Sequence, residues 1–230
     1  MFFEPFEGFT LAAFCFFEEL ERNNNREWFE ANKLIYESEA LRPVRNLAGA
    51  MAHYFHFKDY EMELSVRRIV SRITRDTRTC PTQPPFKTHL QLHFQRAVSG
   101  NARNWSSYPG FFISIGKTGA DYGIHVRNVR QKTMEGIRKA ILDEPEDFLL
   151  TIKGLPKHGY ELTGTPCKHP IEIEEDSAES LTPWIQQENL CVAKHLGISY
   201  MILSEDLIPY MQKEFERLQP LYKFLIDACV

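Results

Sequence analysis

The chain has 230 residues, 43% of them hydrophobic and 25% charged, proportions of a folded globular protein that exclude disorder and collagen-like structure. Its 17 Phe, 9 Tyr and 3 Trp supply a large apolar area for a core, and the length suits one domain, or one with an appended lobe. A formal net charge of -4 argues by itself against a dedicated nucleic-acid binder.

The first segment, MFFEPFEGFTLAAFCFF, carries Glu4 and Glu7 where a secretory signal needs a basic stretch. Its longest apolar run, Phe9 to Phe17, stops at Glu18-Glu19, about half the length a membrane-spanning helix requires. A cytosolic protein with no membrane partner is expected. From Thr10 to Arg22 the apolar residues run almost all round a helix, which predicts burial. Asn23-Asn24-Asn25 breaks that helix, and a second runs from Arg26 to about Glu39, with Trp28, Phe29 and Ile35-Tyr36. Pro43 suits the first turn of a third, to roughly Phe55. Residues 1–60 are read as a helical layer.

Beyond Glu63 the texture becomes β-branched and alternating, and strands are predicted near 66–74, 87–97, 110–116 and 121–127. Prolines and glycines between them supply turns short enough for antiparallel pairing. Arg130 to Leu142 returns to helical spacing with Met134, Ile137 and Ile141 inward, and a short helix follows over Glu144 to Ile152. Residues 153–200, rich in Gly and Pro, read as an irregular excursion with two short strands, Tyr160 to Leu162 and Leu190 to Lys194. Leu207, Met211, Phe215, Leu218, Tyr222 and Leu225 then repeat at helical spacing, with Pro220 expected to kink or split the helix. Helices, then strands, then helices imply a single α+β domain over 1–230. Its N-terminal helical layer packs on a mainly antiparallel sheet (65–128), followed by further helices and a C-terminal helix (129–230).

The charge is unevenly spread. Residues 65–138 hold thirteen Lys/Arg and three acids, a net of +10, against -14 for the rest of the chain, and no Asp or Glu occurs between Thr77 and Ala120. Two readings follow: a basic layer facing acidic helices of the same molecule, or an electropositive surface for a phosphorylated small molecule or a nucleic-acid backbone.

The densest chemistry lies in Arg75-Asp76-Thr77-Arg78 and, after a proline-rich turn, Phe86-Lys87-Thr88-His89. A hairpin would bring Arg75, Arg78 and Lys87 together as an anion clamp, because guanidinium forks grip carboxylate or phosphate oxygens in pairs and Lys adds a point charge. Asp76 either orients an arginine of that clamp or braces the turn structurally. His89 is a candidate donor or general acid. His89 and His93 do not make a metal site on a strand, where they lie about 13 Å apart. Cys80 sits among these cations, as a nucleophilic or redox-sensitive thiol or as an incidental turn residue. The remaining cysteines (Cys15, Cys167, Cys191, Cys229) are far apart with no Cys-x-x-Cys pair, so neither a disulfide framework nor a zinc knuckle is expected. Dinucleotide, phosphate-loop and Gly-x-Ser-x-Gly patterns are absent, and no cofactor is expected.

The blocks Asn24-Asn25-Arg26-Glu27-Trp28-Phe29 with Lys33 and Tyr36, Arg75-Asp76-Thr77-Arg78, Pro85-Phe86-Lys87-Thr88-His89, Gly123 and Ile137-Arg138 resemble a conserved hypothetical family, domain of unknown function 2461, from about Phe6 to about Leu196. The resemblance implies a fold without a reaction. The chain departs from the family pattern at Thr79, Pro81 and Gln83, where the family carries Phe and two lysines. An anion-binding pocket for a small ligand is thus one expectation. A nucleic-acid module using the +10 segment, with Tyr108, Phe111, Phe112 and Tyr122 as stacking partners, and a non-enzymatic interaction protein with an internal basic layer are the alternatives.

Overall fold

Leu11–Arg22 forms the first helix, α1, and buries Ala13, Phe14, Phe16, Phe17 and Leu20, as its nearly continuous apolar surface requires. The computed structural model describes residues 4–76, 82–97, 108–127, 131–171 and 179–229. Asn23 closes α1 by donating its N–H to Glu19 O at 2.9 Å. Asn25 then caps α2 (Arg26–Ala31), its Oδ1 accepting the Trp28 N–H at 2.9 Å. A short α3 (Lys33–Ile35) passes into a π-helical turn (Tyr36–Leu41) and then α4 (Arg42–Lys58). Pro43 lies in the first turn of α4, as expected. Proline has no N–H for the preceding turn, and the wider π turn directly before it loosens the ladder at that point.

The chain divides into two compact units, Met1–Phe94 with Phe112–Tyr122 and His195–Lys213, and Gln95–Phe111 with Gly123–Lys194 and Glu214–Val230. In the first, α4 buries Leu47, Met51 and Phe55, and the Phe55 ring stacks on Phe94 of β1 (His89–Gln95) with centroids 4.5 Å apart. The helical layer thus packs on the sheet. Leu90, Leu92 and Phe94 are all fully buried, as their spacing of two predicts.

The strand expected over 66–74 is not formed. Val66–Ile69 is one helical turn, α5, held by Glu63, whose carboxylate accepts the Ser65 N–H at 2.8 Å and Arg68 Nη1 at 2.9 Å. This local fastening outweighs the β-branched composition, and only isolated bridges remain, Val70 to Leu92 and Thr74 to Phe86.

The sheet has six antiparallel strands among the described residues, with β2 (Gly110–Gly116) and β3 (Gly119–Val126) close to the predicted bounds. Their order is β1-β2-β3-β6-β4, and β5 also pairs with β6. Here β4 is Glu161–Leu162, β5 is Thr165–Pro166, and β6 is Gln187–Gly197. The register of β4 on β6 sets Glu161 opposite Ala193 and Leu162 opposite Val192. Strand β6 is much longer than the predicted Leu190 to Lys194. Two glycines of β3 permit its close approach: a Cβ on Gly119 (φ +129°) would lie 2.2 Å from Leu196 O, and one on Gly123 would lie 1.9 Å from Val192 O.

In the second unit, α6 (Gln131–Asp143) turns Met134, Ile137 and Ile141 inward, as their spacing predicts. Phe148 of α7 (Pro145–Ile152) packs against Trp184 of α8 (Thr182–Ile185) and against Phe224, both with centroids 5.1 Å apart. Phe224 belongs to α9 (Leu207–Asp227), which runs through Pro220 without splitting. Pro220 lies on the exposed side while Leu218, Leu221, Tyr222 and Leu225 are buried, so packing holds the helix across the missing N–H. Among the described residues, no helix is long and apolar enough to cross a membrane.

Candidate functional site

The turn between Thr74 and Phe86 brings two of the predicted cations onto facing segments. The Arg75 N–H donates to Pro85 O at 2.9 Å and the Lys87 N–H to Ile73 O at 2.8 Å, on either side of the Thr74 to Phe86 bridge. In that antiparallel arrangement the N–H and C=O of Phe86 point away from residues 73–75. Both are met by one side chain: Asn24 Nδ2 donates to Phe86 O at 2.9 Å, and Asn24 Oδ1 accepts the Phe86 N–H at 3.1 Å. The Phe86 ring stacks on Phe29 at 4.1 Å, interplanar angle 13°, and Phe29 in turn contacts Tyr36 and Phe16. The Asn-Asn-x-x-Trp-Phe and Pro-Phe-Lys blocks are therefore one structural unit.

Arg75 donates Nε–H to Phe86 O at 3.2 Å and Nη1–H to Gln83 Oε1. Among the described residues both of these acceptors are neutral, and neither cancels the guanidinium charge. Lys87 is half-buried, and its ammonium is held below its ordinary pKa first by burial and second by the Arg75 guanidinium. Among the described residues the pair thus makes a spot that holds two cations, one of them half-buried. Such a spot attracts an anion more strongly than either charge does in open water.

The other predicted site residues fall as follows. Asp76 follows Arg75 directly and is exposed. Arg78 and Cys80 lie outside the described residues. His89 opens β1, half-buried, beside Gly116 of β2, whose added Cβ would meet His89 Cβ at 3.5 Å. His93 is on the same strand. Among the described residues, no group of three or more His, Cys, Asp or Glu side chains is placed to hold a metal ion. Of the proposed stacking partners, Tyr108 is half-buried, whereas Phe111, Phe112 and Tyr122 are buried and offer no ring face to a base. Their place in the core follows from the two central strands that carry them.

Two further features were missed from sequence. Arg138 fixes backbone, donating Nε–H to Ile185 O at 3.0 Å and Nη2–H to Gln187 O at 2.7 Å, with Cys167 Sγ at 3.5 Å. It lines a cavity of about 860 Å³ with Met134, Cys167, Glu188 and Asn189. Glu214 of α9, almost wholly buried, accepts from Lys194 Nζ at 2.7 Å, from Tyr160 Oη at 3.3 Å and from Arg217. The Glu214 and Arg217 spacing of three on a helix was legible, but its burial and its link to Lys194 depend on tertiary structure.

No curated protein and no solved structure matches the chain. A family described as "Conserved hypothetical protein (DUF2461)" matches over residues 12–224, nearly the whole length and including every motif block used above. The chain belongs to this family.

Proposed function

We propose that the protein binds a phosphate- or carboxylate-bearing small ligand at the Arg75 and Lys87 pair. Arg78 adds a second guanidinium, Asp76 orients an arginine, and His89 donates from the start of β1. One observation supports this reading above the others: two cations sit on facing segments either side of the Thr74 to Phe86 bridge, and among the described residues the acceptors of Arg75, Phe86 O and Gln83 Oε1, are neutral. A bound anion removes the repulsion that Lys87 feels from Arg75, and it does so only in the folded chain.

A ligand that binds only the folded state raises stability, so the test is a thermal-shift screen with phosphorylated metabolites, nucleotides and dicarboxylates. Members of at least one class are expected to raise the unfolding temperature of the wild type, and Lys87→Met is expected to abolish the shift with the fold intact. No shift across the screen, or an equal shift in Lys87→Met, contradicts the reading. Oligonucleotide binding that falls steeply with salt, without any small-molecule shift, would assign the basic segment to nucleic acid instead.

A further inference from the structure

We infer that Asn24 is the positioning residue of the Arg75 and Lys87 pair, setting the spacing of the two cations through the Phe86 peptide; the inference rests on the anion-site reading above. Phe86 is the hub of the turn. Its neighbours Pro85 and Lys87 make the two backbone bonds to residues 73–75, so its own N–H and C=O face the other way and need partners if the segment is to stay in register. A neighbouring strand would supply one donor and one acceptor side by side. The Asn24 amide supplies the same pair from a side chain 62 residues away in sequence, at 2.9 and 3.1 Å.

Other side chains of similar size fit less well. Aspartate has no donor when ionised, and serine has one oxygen to serve both groups. Arg75 Nε shares the Phe86 carbonyl at 3.2 Å, so a movement of Phe86 moves Arg75 as well as Lys87. Asn25, one residue on, does different work: it accepts from the Trp28 N–H and caps α2. Asn24 does not touch the ligand in this scheme, and its effect passes through Phe86 alone.

The experiment follows the Lys87 titration by NMR of its side-chain carbon next to the ammonium, assigned with Lys87→Arg, alongside calorimetric titration with inorganic phosphate. In Asn24→Ala the Lys87 titration is expected to move up toward the ordinary lysine range, and the dissociation constant for phosphate to rise about tenfold, the scale on which supporting partners of a ligand site act. Asn24→Ser should fall between and carries the test if the alanine variant does not fold. Asn25→Ala is the control, losing stability while Lys87 titrates as in the wild type. A folded Asn24→Ala or Asn24→Ser protein with an unmoved Lys87 titration overturns the inference. If the wild type binds no phosphate but Asn24→Ala still moves Lys87, the anion-site reading fails while the role of Asn24 in setting the pair stands.

Discussion

Lys87 is the residue whose energetics are most revealing. Burial first, and the Arg75 guanidinium second, lower its pKa from the ordinary 10.5, so the folded chain releases this proton at a lower pH than the unfolded chain does. Below its folded pKa Lys87 therefore opposes folding, and the opposition fades as pH rises from that value to the ordinary one. Lys87→Met, which keeps the apolar stem, is accordingly expected to raise the unfolding temperature of the unliganded protein at pH 7, with a smaller gain near pH 10.5. A variant that melts lower at both pH values would instead mean that Lys87 is a structural brace. The cysteines separate in the same way. Cys15 is exposed on α1, whereas burial pushes the Cys229 thiol up to about 11 despite Arg96, which leaves little reactive thiolate at neutral pH. Among the described cysteines, Cys15 should be alkylated first at pH 7.5, as mass spectrometry of partly modified protein would show; early labelling of Cys229 would contradict this. Arg75 and Lys87 were legible as a pair because a proline-rich turn joins their two motifs. The partner of Asn24 was not legible, since no local pattern announces a contact across 62 residues.

At the scale of elements, hydrophobic period located the sheet well and failed where local hydrogen bonding decided the backbone. The spacing of Leu90, Leu92 and Phe94 marked β1, and the apolar runs marked β2 and β3, because burial on a sheet imposes a period of two. Residues 66–69 carry equally β-like residues but form a turn of helix, since the Glu63 carboxylate ties Ser65 and Arg68 into it. The length of β6 was hidden because half-exposed residues interrupt its apolar pattern toward Gly197. Gly123 shows how closely the strands meet. Its missing side chain leaves room for Val192 O, which an added Cβ would approach to 1.9 Å, so Gly123→Ala is expected to cost about 3 kcal/mol or more. Gly154→Ala, where an added Cβ meets nothing within 4 Å, should stay within about 0.5 kcal/mol of the wild type. Denaturant titrations of the two variants compare them directly, and equal losses would contradict the close packing of β3 on β6.

For the molecule as a whole, the net charge of -4 is an average over a +10 middle and acidic remainder, and the two halves of that average behave differently. Acids and bases pair at the buried Glu214, which Lys194 and Arg217 both contact, and at Glu63, which holds the exposed Arg68. At the Arg75 and Lys87 turn, by contrast, the acceptors of the guanidinium among the described residues are uncharged. The α+β class and the helical layer on an antiparallel sheet were legible because they follow from the order of periodicities along the chain. The convergence of the Asn-Asn, Arg-Asp and Phe-Lys blocks on one peptide was not, because it depends on how the layer meets the sheet. The most direct test of the account is the unfolding temperature of the wild type and of Lys87→Met, each measured with and without the anions of the screen. The account predicts that anions stabilise the wild type and leave Lys87→Met unmoved; equal stabilisation of both proteins, or of neither, would contradict it.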